Sequence, residues 1–181
     1  MRYRRLRIPG ATYFFTLVTE RRRPLFRSAD AVADYQAAVE DVRVSWPFEV
    51  EAEVILPDHL HIIWSLPEGD ADFSTRLRLI KSRFSRSGTP TVDGKDRSAS
   101  RRAKGERGVW QRRFWEHAIT GEQDFAVHLD YIHYNPVRHG LAAAPSEWPH
   151  STFQKWVARG VYEPHWGSGE MPKLPIGIGG E

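Results

Sequence analysis

The sequence predicts an α+β fold in which helices pack on an antiparallel sheet. Some segments alternate apolar with polar or acidic residues, which is typical of half-buried strands. Others repeat apolar residues at helical spacing. These segments follow one another in the order β-α-β-β-α-β with one further helix, which is the order of the ferredoxin-like split βαβ arrangement. The helices are then expected on one face of the sheet, with the other face free to meet a ligand.

Three strands and two helices are predicted in the first half of the chain. The strand segments are rich in β-branched and aromatic residues, and the helical segments begin at residues that can accept an N-cap hydrogen bond. In order, these elements are a strand over residues 12–19, a helix capped by Ser28 and running to about Ser45, strands over 48–55 and 59–66, and a helix capped by Asp72 or Ser74 and running to about Arg86.

The second half begins with a change of composition. Residues 87–108, SGTPTVDGKDRSASRRAKGERG, contain one Val and no aromatic residue, so we expect a mobile basic loop. A fourth strand is predicted over residues 109–119. An acidic first turn suits the positive end of a third helix. That helix is predicted to open at Glu122 and Asp124, to run toward Tyr134, and to be ended by Pro136 and Gly140.

The length and composition indicate one compact domain. We place it at residues 1–165 of the 181, followed by a Pro/Gly-rich tail over 166–181. The absence of cysteine excludes disulfides, iron–sulfur clusters, thiolate zinc sites and Cys nucleophiles. The basic N-terminus lacks the apolar stretch of a secretory signal, and no apolar run is long enough to span a membrane. A cytoplasmic protein is therefore expected.

Charge is segregated along the chain, although the net charge is only +3. Residues 1–27 hold eight Arg and one acidic residue, and residues 71–113 hold thirteen Lys or Arg against four acidic residues. Such blocks indicate a positive surface that faces a polyanion, and the alternative is a solvated charged surface with a disordered basic loop. Cations interleaved with aromatic rings suit unstacked single-stranded bases better than duplex grooves. The candidate DNA-binding cations are Arg2, Arg4, Arg5 and Arg7 in an N-terminal arm, Lys81, Arg83 and Arg86 on the second helix, and Arg112 and Arg113.

Two histidines stand in an otherwise apolar strand, in the stretch LPDHLHIIW. Side chains alternate along a strand, so His59 and His61 should project from one face while Leu60 and Ile62 point into the core. Neighbouring imidazoles of this kind can converge on one divalent cation. Ordinary buried histidines at a strand start are the alternative, so the pair needs a partner before it indicates a metal site.

The predicted third helix offers that partner. Tyr131 and Asn135 lie four residues apart on one flank of the helix, and His128 lies three residues before Tyr131. A phenol, an amide oxygen and an imidazole thus share one side. The alternative is a Tyr at the rim of the core and an Asn that simply precedes a proline. Because Pro136 disfavours helical geometry at Asn135, the alignment requires the helix to kink rather than stop.

These motifs together resemble a known family. The HLH motif after an LP turn, the run RFWEHAI, the motif DYIHYNPVRHGL and the tail WPHSTF are similar to those of single-tyrosine HUH transposases, and most similar to the REP-associated tyrosine transposases. The resemblance covers about residues 3–165. It implies that His59 and His61 bind a divalent metal, Mg²⁺ or Mn²⁺, that Tyr131 is the nucleophile, and that Asn135 completes the metal shell where relatives often carry Gln. The basic loop looks like an insertion in the family pattern.

The function implied by this resemblance is metal-dependent cleavage and transfer of single-stranded or REP-like hairpin DNA through a covalent 5′-phosphotyrosine. His128 is a candidate for proton transfer or phosphate contact, and water is another. Two alternatives stay open: a catalytically inactive ferredoxin-like nucleic-acid-binding protein, and a metal-dependent nuclease in which water attacks and Tyr131 only positions. The resemblance favours a monomer and leaves a dimer open.

Overall fold

A computed structural model describes residues 6–88, 97–169, 172 and 174. Four strands form one antiparallel sheet in the order β2-β3-β1-β4, which confirms the predicted α+β class. No helix in the described part of the chain is long and apolar enough to cross a membrane. The elements are β1 (Thr12–Val18), α1 (Ala29–Ser45), β2 (Glu49–Ile55), β3 (His59–Ser65), α2 (Phe73–Phe84), α3 (Ala99–Ala103), β4 (Trp115–Ala118), α4 (Gly121–Arg138) and α5 (Phe153–Ala158).

The predicted caps account for where two helices begin. The Ser28 side chain accepts a hydrogen bond from the N–H of Ala31 at the start of α1. Of the two candidates for α2, Asp72 is the cap, and it accepts from the N–H of Thr75. This helix ends at Phe84, slightly earlier than expected.

Both faces of the sheet are covered, so the expectation of a free second face is wrong. Helices α1 and α2 cover one face, where they bury apolar side chains of β1 and β3. Helix α4 and aromatic residues of the C-terminal segment cover the other, because they must remove their own apolar surface from water. The ring of Trp166 lies 4.5 Å from that of Tyr162, so aromatic packing continues past residue 165. The second layer consists mainly of Phe14, Ala52, Val54, Ile63, Leu129, Tyr131, Ile132, Phe153, Trp156 and Tyr162.

Helix α4 extends further than the sequence predicts. We expected it to run toward Tyr134 and to be ended by Pro136, but it continues through this proline to Arg138. Proline lacks the N–H donor and removes one helical hydrogen bond. The buried run of α4 includes the proline itself, and packing of a helix face outweighs the loss of one bond. Asn135 therefore stays in the helix, one turn after Tyr131.

Gly140 ends α4, as predicted. Its φ of +66° is the left-handed conformation that favours glycine. Its N–H donates to the carbonyl of Val137 at 2.9 Å, and the N–H of Leu141 donates to the carbonyl of Pro136 at 2.8 Å. This pair of bonds is a Schellman C-cap, which satisfies two carbonyls at the end of the helix.

The fourth strand is shorter than predicted. Only Trp115–Ala118 is strand, whereas the expected span was 109–119. Upstream, Trp110 forms a single bridge to Thr19, and the exposed Arg112 and Arg113 lie between that bridge and the strand. The described part of the predicted basic loop contains the short helix α3, capped by Ser98, which its composition did not predict. The rest of that loop, residues 89–96, lies outside the described residues.

Candidate active site

The two histidines of β3 lie side by side on the face of the sheet that α4 covers. Their ring centroids are 5.0 Å apart. The ring of His61 lies 5.1 Å from that of Tyr131, and the ring of His59 lies 5.2 Å from that of His139. Leu60 belongs to the core on the opposite face. The predicted strand alternation is therefore confirmed, and it directs both imidazoles toward the helix that carries Tyr131.

Each imidazole is held through its Nδ1 atom. His59 Nδ1 lies 2.6 Å from Asp58 Oδ1, and His61 Nδ1 lies 2.9 Å from Thr16 Oγ1. Burial alone would raise the pKa of Asp58, but the hydrogen bonds and charges of His59 and Arg22 outweigh it and lower the pKa. Asp58 is therefore an anion. Partners that fix Nδ1 set the ring orientation and the tautomer, so a metal would be bound through Nε2.

Two side chains of α4, Tyr131 and Asn135, and the C-cap residue His139 follow one another at four-residue spacing opposite this pair. Tyr131 contacts His61 and His139 contacts His59, so Asn135, which lies between them on the helix, faces the two histidines. Asn135 is fully buried, and neither its Oδ1 nor its Nδ2 has a hydrogen-bond partner among the described residues. A buried amide of this kind costs about 1–3 kcal/mol. A cation bound to Oδ1 would remove part of that cost.

The phenol oxygen of Tyr131 has a cationic partner. Arg138 donates a hydrogen bond of 2.9 Å from its guanidinium to Tyr131 Oη, and its guanidinium carbon lies 5.4 Å from the centre of the ring. Tyr131 is only 2% exposed. Sequence reasoning missed Arg138, although its position seven residues after Tyr131, on the same flank of a helix, was a usable signal.

His128 lies in a separate group with His117 and Asp124. His117 Nε2 is 2.8 Å from Asp124 Oδ2, and His128 Nδ1 is 3.0 Å from Asp124 Oδ1 and 2.8 Å from the Asp124 carbonyl. The two imidazole rings stack with centroids 4.7 Å apart. Burial lowers the pKa of His128 despite its hydrogen bonds to Asp124, so this imidazole is neutral at neutral pH. Phe14 packs against His128 at 4.9 Å and against His61 at 5.5 Å.

Three of the predicted DNA-binding cations converge on one groove. Lys81, Arg86 and Arg112 line a groove of about 720 Å³ between α2 and residues 101–114. Because α2 and α4 cover opposite faces of the sheet, this groove and Tyr131 lie on opposite sides of the molecule. Other cations that line the groove are Arg78, Arg101, Lys104 and Arg107.

The remaining predicted cations that the structure describes, Arg7, Arg83 and Arg113, do not line the groove. Arg83 forms an ion pair with Asp41 of α1, with an N–O distance of 3.3 Å. Arg113 is exposed. Arg7 donates a hydrogen bond of 3.4 Å to Ser74 at the start of α2. The other arginines of the predicted arm, Arg2, Arg4 and Arg5, lie outside the described residues.

Fold and site together define a class of α+β protein in which paired strand histidines face a tyrosine, here Tyr131, on a packed helix. Residues 8–135 match a family model described as "Transposase IS200 like". The chain therefore belongs to the IS200-like transposase family, a family of DNA-processing enzymes.

Individual relatives narrow this assignment. The REP-associated tyrosine transposase of Escherichia coli (strain K12) is 44% identical over 178 residues, which is 97% of this chain and 95% of that protein. A relative from Haemophilus influenzae is 39% identical over 174 residues, 96% of each chain. A solved structure of a REP-associated tyrosine transposase bound to a REP hairpin is 40% identical, with a TM-score of 0.79, and the match covers 99% of this chain and 96% of that one. The resemblance to REP-associated tyrosine transposases is thus confirmed.

Proposed function

We propose that this chain cleaves and rejoins single-stranded or hairpin DNA in a metal-dependent reaction in which Tyr131 forms a covalent 5′-phosphotyrosine. The observation that carries the proposal is the position of Tyr131, whose ring lies 5.1 Å from that of His61 and whose oxygen accepts a hydrogen bond from Arg138. We propose REP-like hairpin DNA as the substrate because the solved relative is bound to a REP hairpin.

The residues at the site fit a divalent metal. His59 and His61 are oriented through Nδ1 for binding through Nε2, and Asn135 is a buried amide whose oxygen has no hydrogen-bond partner among the described residues. We propose that these three side chains hold Mg²⁺ or Mn²⁺. When bound, the ion would withdraw charge from the oxygens of the scissile phosphate.

In the proposed reaction, the phenol oxygen of Tyr131 is the attacking atom. Oη attacks the phosphorus and forms a Tyr–O–P bond, the bond from phosphorus to the 3′ oxygen breaks, and a 3′-OH is left after that oxygen takes up a proton. The phenol proton passes to water or to His128. Arg138 places positive charge where the phosphate becomes attached. Because one phosphodiester replaces another, rejoining needs no external energy source.

The groove between α2 and residues 101–114 would contact the DNA backbone. It is lined by seven cationic side chains and one acidic residue, Glu106, which gives it a strong positive balance. Trp110 and Phe114 add aromatic surface. Guanidinium forks bind phosphate oxygens without reading sequence, so we propose that the groove positions the DNA while one strand reaches Tyr131 across the molecule.

The proposal is tested by covalent capture of DNA. The protein is incubated with a labelled single-stranded hairpin and Mg²⁺ or Mn²⁺ and is then denatured. We expect a DNA adduct that is lost in Tyr131→Phe, strongly reduced in His59→Ala and His61→Ala, and retained in Tyr134→Phe, the matched control on the same helix. Cleavage without an adduct that survives Tyr131→Phe would instead support attack by water, and binding without either would support an inactive binding protein.

A further inference from the structure

We propose a second metal site, formed by His117, Asp124 and His128 and suited to Zn²⁺ or a similar transition-metal ion. The site lies where β4 meets the first turns of α4. It shares no ligand with the pair of histidines on β3, and its existence does not depend on the proposed reaction.

The ligand atoms already stand close to the separations that such an ion requires. One nitrogen or oxygen from each of the three residues lies within 4.8 Å of the others. His117 Nε2 lies 2.8 Å from Oδ2 of Asp124, and His128 Nδ1 lies 3.0 Å from Oδ1 of the same carboxylate. A tetrahedral ion with ligand bonds of about 2.0–2.1 Å holds its ligands about 3.3 Å apart. Insertion of the ion therefore needs only short movements of His117, Asp124 and His128.

The surroundings give the ion both an entrance and a support. The side chain of His117 is 37% exposed and that of Asp124 is 21% exposed, so an ion can enter from solvent, while His128 lies beneath them. The N–H of Thr120 donates to Asp124 Oδ2 at 2.8 Å and would hold this carboxylate in place.

The donor set points to the kind of ion. Two imidazoles and one carboxylate suit Zn²⁺, Co²⁺, Ni²⁺ or Fe²⁺, whereas Mg²⁺ prefers a shell of oxygens. The proposed active site also offers two imidazoles, so binding at the second site is measured in a variant that lacks His59 and His61. An ion bound here would join the edge strand β4 to the N-terminal turns of the helix that carries Tyr131.

The test is a count of bound ions in variants that lack one site or the other. Metal-free protein is titrated with Co²⁺, read by its visible absorption, and with Zn²⁺, read by calorimetry. We expect the double variant His59→Ala/His61→Ala to keep about one equivalent of ion. We expect adding His128→Gln or His117→Gln to that variant to abolish binding, whereas adding His165→Ala, which removes an exposed histidine elsewhere, should not.

Folding is checked by thermal unfolding of each variant without metal. His117→Gln is the safer variant, because this side chain is partly exposed at the edge of the sheet. Zn²⁺ should raise the Tm of the double variant, and Mg²⁺ at the same concentration should not. The proposal is overturned if the double variant binds no Co²⁺ or Zn²⁺, or if a folded His117→Gln variant of it binds them as before.

Discussion

At the scale of single residues, Arg138 is the side chain that the structure adds to the proposed mechanism. Its guanidinium donates to Tyr131 Oη at 2.9 Å, and hydrogen bonds that involve charged groups contribute about 1.5–3 kcal/mol. We therefore expect Arg138→Met to slow adduct formation about 10- to 100-fold in single-turnover measurements at saturating DNA. Arg138→Lys should restore part of the rate, because it keeps the positive charge but loses the planar fork.

The matched control for this prediction is Arg159→Met. Arg159 also lies over an aromatic ring, with its guanidinium carbon 4.9 Å from the ring of Trp156, which is a tryptophan and not the proposed nucleophile. This control should react at the rate of the unmodified protein. Equal rates for Arg138→Met and the control would show that the guanidinium plays no part in the reaction.

Replacing Asn135 should have opposite effects on the stability of the metal-free protein and on metal binding. Replacing it with Leu removes a buried amide without hydrogen bonds and keeps a similar volume, so the metal-free protein should be at least as stable as before, by up to about 1 kcal/mol in urea unfolding. The same change should abolish the Mg²⁺- or Mn²⁺-dependent adduct. Asn135→Ala should also lose the adduct, but it should lower stability because it leaves a cavity. A less stable Leu variant that still forms the adduct would assign Asn135 a structural role.

The sequence predicted some of these residues and not others for a physical reason. Strand alternation is local, so it placed His59 and His61 correctly on one face, and helix periodicity did the same for Tyr131 and Asn135. Contacts between elements depend on packing that no local pattern encodes. For this reason the partners Thr16 and Asp58, the guanidinium of Arg138 and the contact of His139 with His59 became visible only in the fold.

At the scale of secondary-structure elements, a buried carboxyl between α1 and β2 makes stability depend on pH. Tyr35 of α1 donates a hydrogen bond of 2.8 Å to Glu53 Oε2 of β2. Burial raises the pKa of Glu53 to about 7 from an ordinary value of 4.5, although the Tyr35 hydrogen bond opposes the shift. The folded protein therefore holds this proton more tightly than the unfolded chain. Its contribution to stability is fully present below pH 4.5 and is lost as the pH rises through about 7.

Glu53→Gln tests this dependence. The variant stays neutral, so its stability relative to the unmodified protein should rise by about 2 kcal/mol between pH 5 and pH 8. Urea unfolding at the two pH values measures the free energy of unfolding of each protein. The titration of groups that both proteins share cancels when one free energy is subtracted from the other. Glu51→Gln, on the same strand, is the control and should show a much smaller change. A constant difference between Glu53→Gln and the unmodified protein would contradict the predicted titration.

The boundaries of α4 and β4 differ from those predicted because tertiary packing overrides local sequence patterns. Proline and a preceding asparagine normally end a helix, yet α4 runs on to Arg138 because its buried face extends past Pro136. In β4 the opposite happened: an apolar and aromatic segment predicted a long strand, and only four residues pair with β1. Arg112 and Arg113, which precede this strand, are exposed and lie outside the sheet.

At the scale of the whole molecule, the sheet separates the cationic groove from the tyrosine. Two exposed cations of the groove, Arg86 and Lys104, can be neutralised with little effect on packing. We expect Arg86→Gln/Lys104→Gln to weaken hairpin binding and to reduce the slope of log affinity against log salt by about 1–2, since each phosphate contact contributes about 0.7–0.9. Fluorescence anisotropy across a salt series measures both quantities.

The control is a double variant of equal charge change outside the groove, Lys155→Gln/Arg159→Gln at α5. Its salt slope should stay close to that of the unmodified protein. If both double variants lower the slope equally, the DNA responds to the net charge of the molecule rather than to the groove.

Tyr131, Asn135 and Arg138 all belong to α4, so one insertion or deletion in this helix affects all three together. A single codon gained or lost early in this helix leaves their mutual spacing intact, but it rotates all three by about 100° relative to β3. The proposed nucleophile Tyr131, the amide of Asn135 and the guanidinium of Arg138 would then all move away from the two histidines in one mutational event. The apolar side chains by which α4 packs on the sheet, Leu129 and Ile132, would rotate with them, so the same change would disturb the core and the site would be lost together with stability.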